Sequence, residues 1–423
     1  MKRLAAPRGT FDVLPAQAAQ WQALERIVDE TCGRFGYGEI RTPMFEATDV
    51  FTRTIGEGTD IVDKEMYTFV DRGGRSMTLR PEFTAPVVRA MLEHNLLGSG
   101  PLKLYYRGPI FRYERPQKGR YRQAHQWGVE CFNVGGPEAD VEIISLGLDV
   151  IRRAGPKDVR LELNSMGCKA CRERFRAALL DYLRPRADQL GETSRKRLAS
   201  NPLRILDTKD PAERALLAEA PTIDRYLCDA CREHFAGVRQ LLGAMGIQAT
   251  INPQIVRGLD YYTRTVFEIS SSALGSQDAL CGGGRYDDLV ETMGGPSVPG
   301  VGLAMGMERL LMVSDQVGAK LGEGADRRLH VAFVALDEPS ARRLAPIMQR
   351  MRARGVASDM DYSLRKIDKQ IRDAAERGAA LAVIVGGDEL AGGEATIQDL
   401  GTRARERVKL DDVESTLVRR LGA

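Results

Sequence analysis

Arginines carry the strongest chemical signal in this chain. Between residues 103 and 123 seven basic side chains and one acidic one are interleaved with tyrosines. The densest run is Tyr106-Arg107-Gly108-Pro109-Ile110-Phe111-Arg112-Tyr113-Glu114-Arg115-Pro116-Gln117-Lys118-Gly119-Arg120-Tyr121-Arg122-Gln123. Guanidinium forks in such a loop hold phosphate oxygens and reach a nucleic-acid strand; a solvated charged hairpin explains the loop alone equally well. Three more arginines sit beside glycine or at strand ends: Arg257 in Val256-Arg257-Gly258-Leu259-Asp260-Tyr261-Tyr262, Arg285 in Gly283-Gly284-Arg285-Tyr286-Asp287, and Arg309 in Gly306-Met307-Glu308-Arg309. Glycine has no Cβ, so a ligand can approach the backbone there, and a polyphosphate accounts for this use of arginine. The chain has no G-x-x-x-x-G-K-[ST] loop, and Gly300-Val301-Gly302 lacks the third glycine of dinucleotide spacing. A nucleotide would therefore lie on a sheet, clasped by arginines, while Gly300–Gly306 by itself reads as tight strand-to-helix packing.

Two other groups have informative spacing. Gln126 and Glu130 are four residues apart in a strand-like run, so both face one side of a sheet and can converge on one ligand; for Glu130 a structural ion pair is the alternative. Cys168-x-x-Cys171 and Cys228-x-x-Cys231 precede the similar stretches Arg-Glu-Arg-Phe and Arg-Glu-His-Phe. Two such pairs can complete a tetrahedral zinc site of four thiolates. The gap between them is longer than in the usual zinc ribbon, and reduced, half-buried thiols capping two helices are the other reading.

These residues need elements to position them. Residues 17–35 place Trp21, Leu24, Ile27, Val28 and Cys32 at helical spacing, ended by Gly36 and Gly38. Glu39–Phe45 predicts a short strand that Pro43 confines to an end or an edge. Gly73-Gly74 predicts a hairpin within Tyr67–Arg80, a helix follows to about Glu93, and residues 103–133 predict a second hairpin that carries the basic loop. Residues 165–245 turn helical and hold both cysteine pairs. Strand signals return at Thr265–Ile269, and the glycine-rich stretch Gly282–Gly306 leads into a helix over 308–312. Gly318–Arg328 reads as a linker. Beyond it, strand His330–Ala335, helices Ser340–Arg354 and Lys366–Arg377 and strand Leu381–Val385 predict a compact α/β domain.

The composition sets outer limits. At ~150 residues per domain, 423 residues suggest two to three domains. A net charge of +3 excludes a histone-like polycation and a polyanion mimic, so nucleic-acid contact must come from local patches. No charge-free run reaches the ~18 residues of a membrane helix, and Met1-Lys2-Arg3-Leu4 leads into Pro7, Gly9 and Asp12 rather than an apolar signal core, which predicts a cytoplasmic protein with no membrane contact. Seven cysteines, an odd number, argue against a disulfide framework.

Taken together the motifs resemble the bacterial histidyl-tRNA synthetases, which are class II aminoacyl-tRNA synthetases. Arg8-Gly9-Thr10-Phe11-Asp12 is similar to the family's N-terminal signature, helix 17–35 with Pro43 to the dimer-forming motif 1, and the loop around Phe111-Arg112-Tyr113-Glu114-Arg115 to motif 2. Gly302 to Arg309 resembles motif 3. Arg257–Tyr262 and Gly283–Asp287 are similar to the two motifs particular to the histidine enzymes, and no position departs. The resemblance implies an α+β catalytic domain with a mostly antiparallel sheet over 1–325, a helical insertion at about 165–245, and an α/β anticodon-binding domain over 328–423, in a homodimer. It implies ATP-dependent ligation of L-histidine to tRNA(His) through histidyl-adenylate, with release of AMP and pyrophosphate. By the same likeness Arg112 and Arg257 are the catalytic arginines on the α-phosphate, Arg309 clamps the γ-phosphate, and Mg²⁺ sits on the polyphosphate. Glu82 and Thr84 match the positions that bind the ammonium group. Gln126 and Glu130, with the phenol of Tyr261 or Tyr262, would read the imidazole; adjacent tyrosines on a strand would point to opposite faces. Arg115 and Gln117 fall to the tRNA acceptor end. In the C-terminal domain, 16 basic and 15 acidic residues leave only a local patch for tRNA, at Arg365, Lys366, Lys369 and Arg372. The competing reading is a non-catalytic histidine-binding relative that regulates ATP phosphoribosyltransferase. Such relatives lack the C-terminal domain and part of the arginine set, whereas Arg112, Arg257, Arg309 and residues 328–423 are all present here.

Overall fold

Leu24, Val28 and Cys32 recur at four-residue steps and bury one stripe of helix α1 (Pro15–Arg34), which opens with a proline whose missing N–H costs nothing in a first turn. The computed structural model describes residues 4–56, 59–208, 210–256, 259–274, 278–322 and 329–422. It separates into two units, Met1–Gly322 and Glu323–Ala423. After α1 come strand β1 (Gly38–Glu39), β2 (Phe45–Ala47), helix α2 (Thr48–Ile55), the hairpin β3 (Tyr67–Val70) and β4 (Ser76–Leu79), and helix α3 (Thr84–Glu93). The single strand expected over Glu39–Phe45 is split. Glu39 ends β1 on the large sheet and Phe45 starts β2 in a separate sheet of order β2-β4-β3. Pro43 falls between them, and its carbonyl accepts from the Arg80 guanidinium. The β3–β4 turn closes where the Asp71 carboxylate accepts from the Gly73 and Arg75 amides.

The long hairpin β5 (Leu102–Phe111) and β6 (Gln123–Phe132) follows, then α4 (Pro137–Arg153) and β7 (Arg160–Ser165). The insertion supplies α5 (Lys169–Leu183), α6 (Glu192–Ser200), α7 (Pro211–Leu217) and α8 (Asp229–Ala244). The sheet resumes with β8 (Thr250–Ile251), β9 (Thr263–Ser270) and β10 (Ala279–Arg285), passes the short α9 (Leu289–Thr292), and ends with β11 (Gly300–Gly306) and α10 (Met307–Gln316). Eight strands lie in the order β1-β5-β6-β11-β10-β9-β7-β8. Only the two outer pairs, β1/β5 and β7/β8, are parallel. Strand alternation then sorts the side chains. On β6, Trp127, Val129 and Cys131 enter one core with residues of α1, α4 and α10, while Gln126, Gly128 and Glu130 take the opposite face. Arg107 on β5 ties α1 down through Asp29 at 2.7 Å.

The second unit contains β12 (Val331–Ala335), α11 (Glu338–Ala353), β13 (Ser358–Met360), α12 (Ile367–Glu376), β14 (Leu381–Val385), α13 (Gly387–Ala391), β15 (Glu394–Asp399), β16 (Arg405–Lys409) and α14 (Val413–Leu421). Its sheet runs β13-β12-β14-β15-β16, parallel in the first three strands and antiparallel in the last two. Val331, Phe333 and Ala335 pack beneath α11 and α14, whereas Val334, Ala382 and Ile384 face α12. The expected strand–helix–helix–strand order is present, and β13, β15, β16, α13 and α14 are additions to it. Strand β16 reads Arg-Glu-Arg-Val-Lys and is almost wholly exposed, so it offers no apolar period to detect. Among the described residues no helix is long and apolar enough to cross a membrane.

Candidate active site

The polar face of β6 forms the floor of a cleft of about 370 Å³, within the range of roughly 300–1,000 Å³ typical of small-molecule sites. Glu130 is at its base, 1% exposed. Three hydroxyls donate to it: Thr84 at 2.8 Å, Tyr106 at 3.0 Å and Tyr286 in a short contact. Burial pushes the Glu130 carboxyl up to about 8 against these hydrogen bonds, with the nearby Glu82 adding to the rise. Burial, and then the charge of Glu130, holds the Tyr106 and Tyr286 hydroxyls well above their ordinary range. The glycines around the site make the room. A Cβ on Gly302, the cross-strand neighbour of Glu130, would lie 1.8 Å from the Glu130 carboxylate, and one on Gly128, opposite Tyr106, would lie 2.4 Å from the phenol oxygen. Tyr106 is held in turn by a stack on Phe83 at 4.3 Å, and Phe83 by the Arg80 guanidinium at 3.9 Å.

Glu82 also lines the cleft, and its two oxygens accept from the Thr84 and Ala85 amides at 2.6 and 2.8 Å, at the start of α3. Each carboxylate oxygen has a second lone pair for a ligand cation. Burial raises the Glu82 pKa. Gln126 shares the face of Glu130, and its buried side-chain oxygen has no hydrogen-bond partner. A buried acceptor left unpaired is a place for a ligand donor. Tyr261 and Tyr262 precede β9 rather than lying on it, so the opposite-face geometry of a strand does not apply. Both line the cleft, with ring centroids 4.9 Å apart. The insertion holds them from behind: Arg172 on α5 donates to the carbonyls of Asp260 and Tyr262 at 3.0 and 2.8 Å.

At the other end of the cleft are guanidinium groups. Arg112, at the root of the basic loop, donates to the Pro81 carbonyl at 2.8 Å. Arg309 donates to the carbonyls of Gly119 and Ala279 at 3.1 and 2.7 Å, and burial lowers its pKa. Its neighbour Glu308 fixes α10 to β6 by accepting from the His125 amide at 2.8 Å. Arg257 and Gly258 lie outside the described residues. Arg285 does not fit the phosphate reading. It is fully buried, bound to Asp140 at 2.5 Å and to the Val134 and Gly136 carbonyls at 2.8 and 2.9 Å. Its flanking glycines read as room for a ligand, but β9, β11 and Tyr262 fill the space beside Gly283 and Gly284. Glu114 and Glu268 line the cleft beside the arginines, and one Glu114 oxygen is buried without a hydrogen bond. The cleft can therefore seat a cationic, ring-bearing ligand at the carboxylate end and an anionic one at the guanidinium end.

The family model for Histidyl-tRNA synthetase matches residues 9–310, and that for the Anticodon binding domain matches residues 330–420. A Histidine--tRNA ligase of Desulforudis audaxviator is 49% identical over 98% of this chain and 99% of its own length. One of Moorella thermoacetica is 47% identical over 96% of this chain and 95% of its own. The chain belongs to the histidyl-tRNA synthetase family. The apo histidyl-tRNA synthetase of S. aureus has the same architecture, with a TM-score of 0.81 at 35% identity, covering 98% of this chain and 100% of that one. In this histidyl-tRNA synthetase scaffold the antiparallel sheet and the separate α/β unit form the class II arrangement expected from the motifs.

The remaining candidate residues are dispersed. Arg115 and Gln117 are both exposed on the basic loop. Lys366, Lys369 and Arg372 lie along α12 and its start, while Arg365 is already engaged by Asp361 and Asp373. Sequence reasoning did not single out Tyr106, Tyr286, Glu114 and Glu268. The signal for Tyr106 is a glycine directly across the hairpin, which shows only once the register is known.

Proposed function

We propose that this chain ligates L-histidine to tRNA(His) in two steps, with ATP as the activating substrate and AMP and pyrophosphate as products. The observation that carries the reading is one cleft with a buried, hydroxyl-ringed carboxylate at one end and guanidinium groups at the other. Neutral imidazole has one donor and one acceptor nitrogen. Glu130 takes the ring N–H, a cleft tyrosine serves the other nitrogen, Gln126 offers its unpaired oxygen, and Glu82 with Thr84 receives the ammonium. In the first step the histidine carboxylate attacks the α-phosphorus, the bond to the β-phosphate oxygen breaks, and pyrophosphate leaves. The protein's contribution is to position the two reactants and to stabilise charge, with Arg112 and Arg257 at the α-phosphate and Arg309 at the γ-phosphate. In the second step a hydroxyl at the tRNA 3′ end attacks the acyl carbon and AMP leaves, with Arg115 and Gln117 near the acceptor end. Glu114 and Glu268 offer the hard oxygen ligands that suit Mg²⁺, which neutralises polyphosphate charge when bound.

The second unit reads the anticodon through the basic residues of α12, and the reaction is cytoplasmic. The regulatory reading is not favoured, because residues 330–420 match an anticodon-binding model and the relatives named above are ligases at nearly full length. A homodimer is supported by Phe45 and Phe69, exposed with rings 6.5 Å apart on the three-stranded sheet beside the exposed Met44 and Val70. An apolar patch of this kind calls for a covering surface. Histidine-dependent ATP–pyrophosphate exchange followed by charging of tRNA(His) tests the activity. Histidine binding without exchange would overturn it.

A further inference from the structure

The two cysteine pairs take no part in that reading, yet the fold brings them to one point. Cys168 immediately precedes α5 and Cys228 immediately precedes α8, with Cys171 and Cys231 inside the first turns. The four sulfur atoms all lie within 4.8 Å of one another. Those of Cys168 and Cys171 are 3.5 Å apart, and the Cys228 amide donates to the Cys171 sulfur at 3.1 Å. Arg174 lies 3.8 Å from the same sulfur while also bound to the Tyr226 carbonyl at 2.9 Å. Amide and guanidinium donors aimed at sulfur favour the thiolate over the thiol. Gly167, at φ +61°, turns the chain into the first pair, and a Cβ there would lie 2.5 Å from Cys171 Cβ.

A tetrahedron with Zn–S bonds of about 2.3 Å has sulfur–sulfur edges of about 3.8 Å. The cluster needs only about 1 Å of contraction at its widest to reach that size. Two of the sulfurs belong to buried residues and two to half-buried ones, which suits an ion that enters at the surface and is then enclosed. Four sulfur donors leave no coordination position open, so the site is structural rather than catalytic. Its position has a clear use. The first pair stands where the chain leaves β7 for the insertion, and the second where it re-enters through α8, which packs on α4.

We propose that Cys168, Cys171, Cys228 and Cys231 bind one Zn²⁺ as a tetrathiolate site that pins the two ends of the helical insertion together. Binding replaces the four thiol protons, which pass to solvent, and involves no redox change. The test begins with the full-length wild-type protein, purified without added metal or chelator. Elemental analysis should find one zinc per chain. Exchange with Co²⁺ should give the intense sulfur-to-cobalt charge transfer and the visible bands of a tetrahedral tetrathiolate. Titration with a mercurial in the presence of a chromophoric chelator should release one zinc as four thiols react. Cys171→Ser and Cys231→Ser should lose most of the zinc; the titration on wild type decides the matter where these variants fail to fold. Substoichiometric zinc with the four thiols freely reactive, a Cys168–Cys171 disulfide found by mass spectrometry, or iron in place of zinc would each overturn the proposal.

Discussion

In the proposed reading Glu130 is the residue on which the histidine pocket turns, and its environment makes three quantities measurable. Replacing it by Gln keeps the shape but substitutes an amide that can present either end to the ring, so the histidine KM should rise far more than the ATP KM. Gly302→Ala reaches the same carboxylate from the neighbouring strand, since the new Cβ would overlap it. It should show the same selective KM effect with about 1–3 kcal/mol of lost stability in thermal melts. If both KM values move together in these variants, the ring is read elsewhere. The third quantity is a proton. With its carboxyl pushed up to about 8 by burial, Glu130 is mostly protonated at pH 7 in the ligand-free protein. The folded-state value lies above the ordinary one, so the stability this group contributes is complete below the ordinary carboxylate range and is lost as pH rises through about 8. An imidazole N–H and an ammonium group favour the carboxylate. Histidine binding near pH 7 should therefore release a proton, seen by calorimetry in buffers of different ionisation enthalpy; no buffer dependence would contradict the assignment. At this scale the shared face of Gln126 and Glu130 was legible from strand period alone. Tyr106 and Tyr286 were not, because their place depends on which glycine lies opposite. Arg285 shows the converse case, where glycine neighbours signal dense packing instead of ligand access.

Among the elements, the basic loop is supported by residues distant in sequence. Its far side packs against the N-terminal segment: the Phe11 and Tyr121 rings are 4.8 Å apart, the Arg122 amide donates to the Gly9 carbonyl at 2.7 Å, and Gly9 takes a φ of +89°. The segment acts as a strap on the loop. Phe11→Ala should raise the ATP KM several-fold while leaving the melting temperature almost unchanged, because Phe11 is already 37% exposed. An unchanged ATP KM would show that the loop holds its shape unaided. Both hairpins, α1 and α3 could be read from period and turn residues. The strap could not, since Arg8 to Asp12 has no periodicity and gains its meaning only from the loop it touches. Likewise, the helical insertion was legible as helices, but its grip on Tyr262 through Arg172 depends on a tertiary contact.

For the whole molecule the division into two units matters most. Removing residues 328–423 should spare histidine-dependent pyrophosphate exchange and impair tRNA charging; a truncated protein that charges tRNA(His) with unchanged kcat/KM would show that the second unit does not read the tRNA. Phe69→Glu places a charge in the exposed apolar patch and should shift sedimentation equilibrium at micromolar concentration towards the monomer, while a wild-type protein that is itself monomeric there would remove the case for a dimer. Length allowed two to three domains and the linker pointed to two, but the edge strands of the second unit, which are short or charged, carried no signal. The ring of hydroxyls around Glu130 also bears on the accuracy of translation. An amino acid without a ring N–H would bring the buried Glu130 no ligand donor and leave the Gln126 oxygen buried and unpaired, and sites of this kind reject such rivals by ~10⁴ or more. The fidelity of histidine insertion can thus rest on initial binding alone, with no second, hydrolytic sieve required.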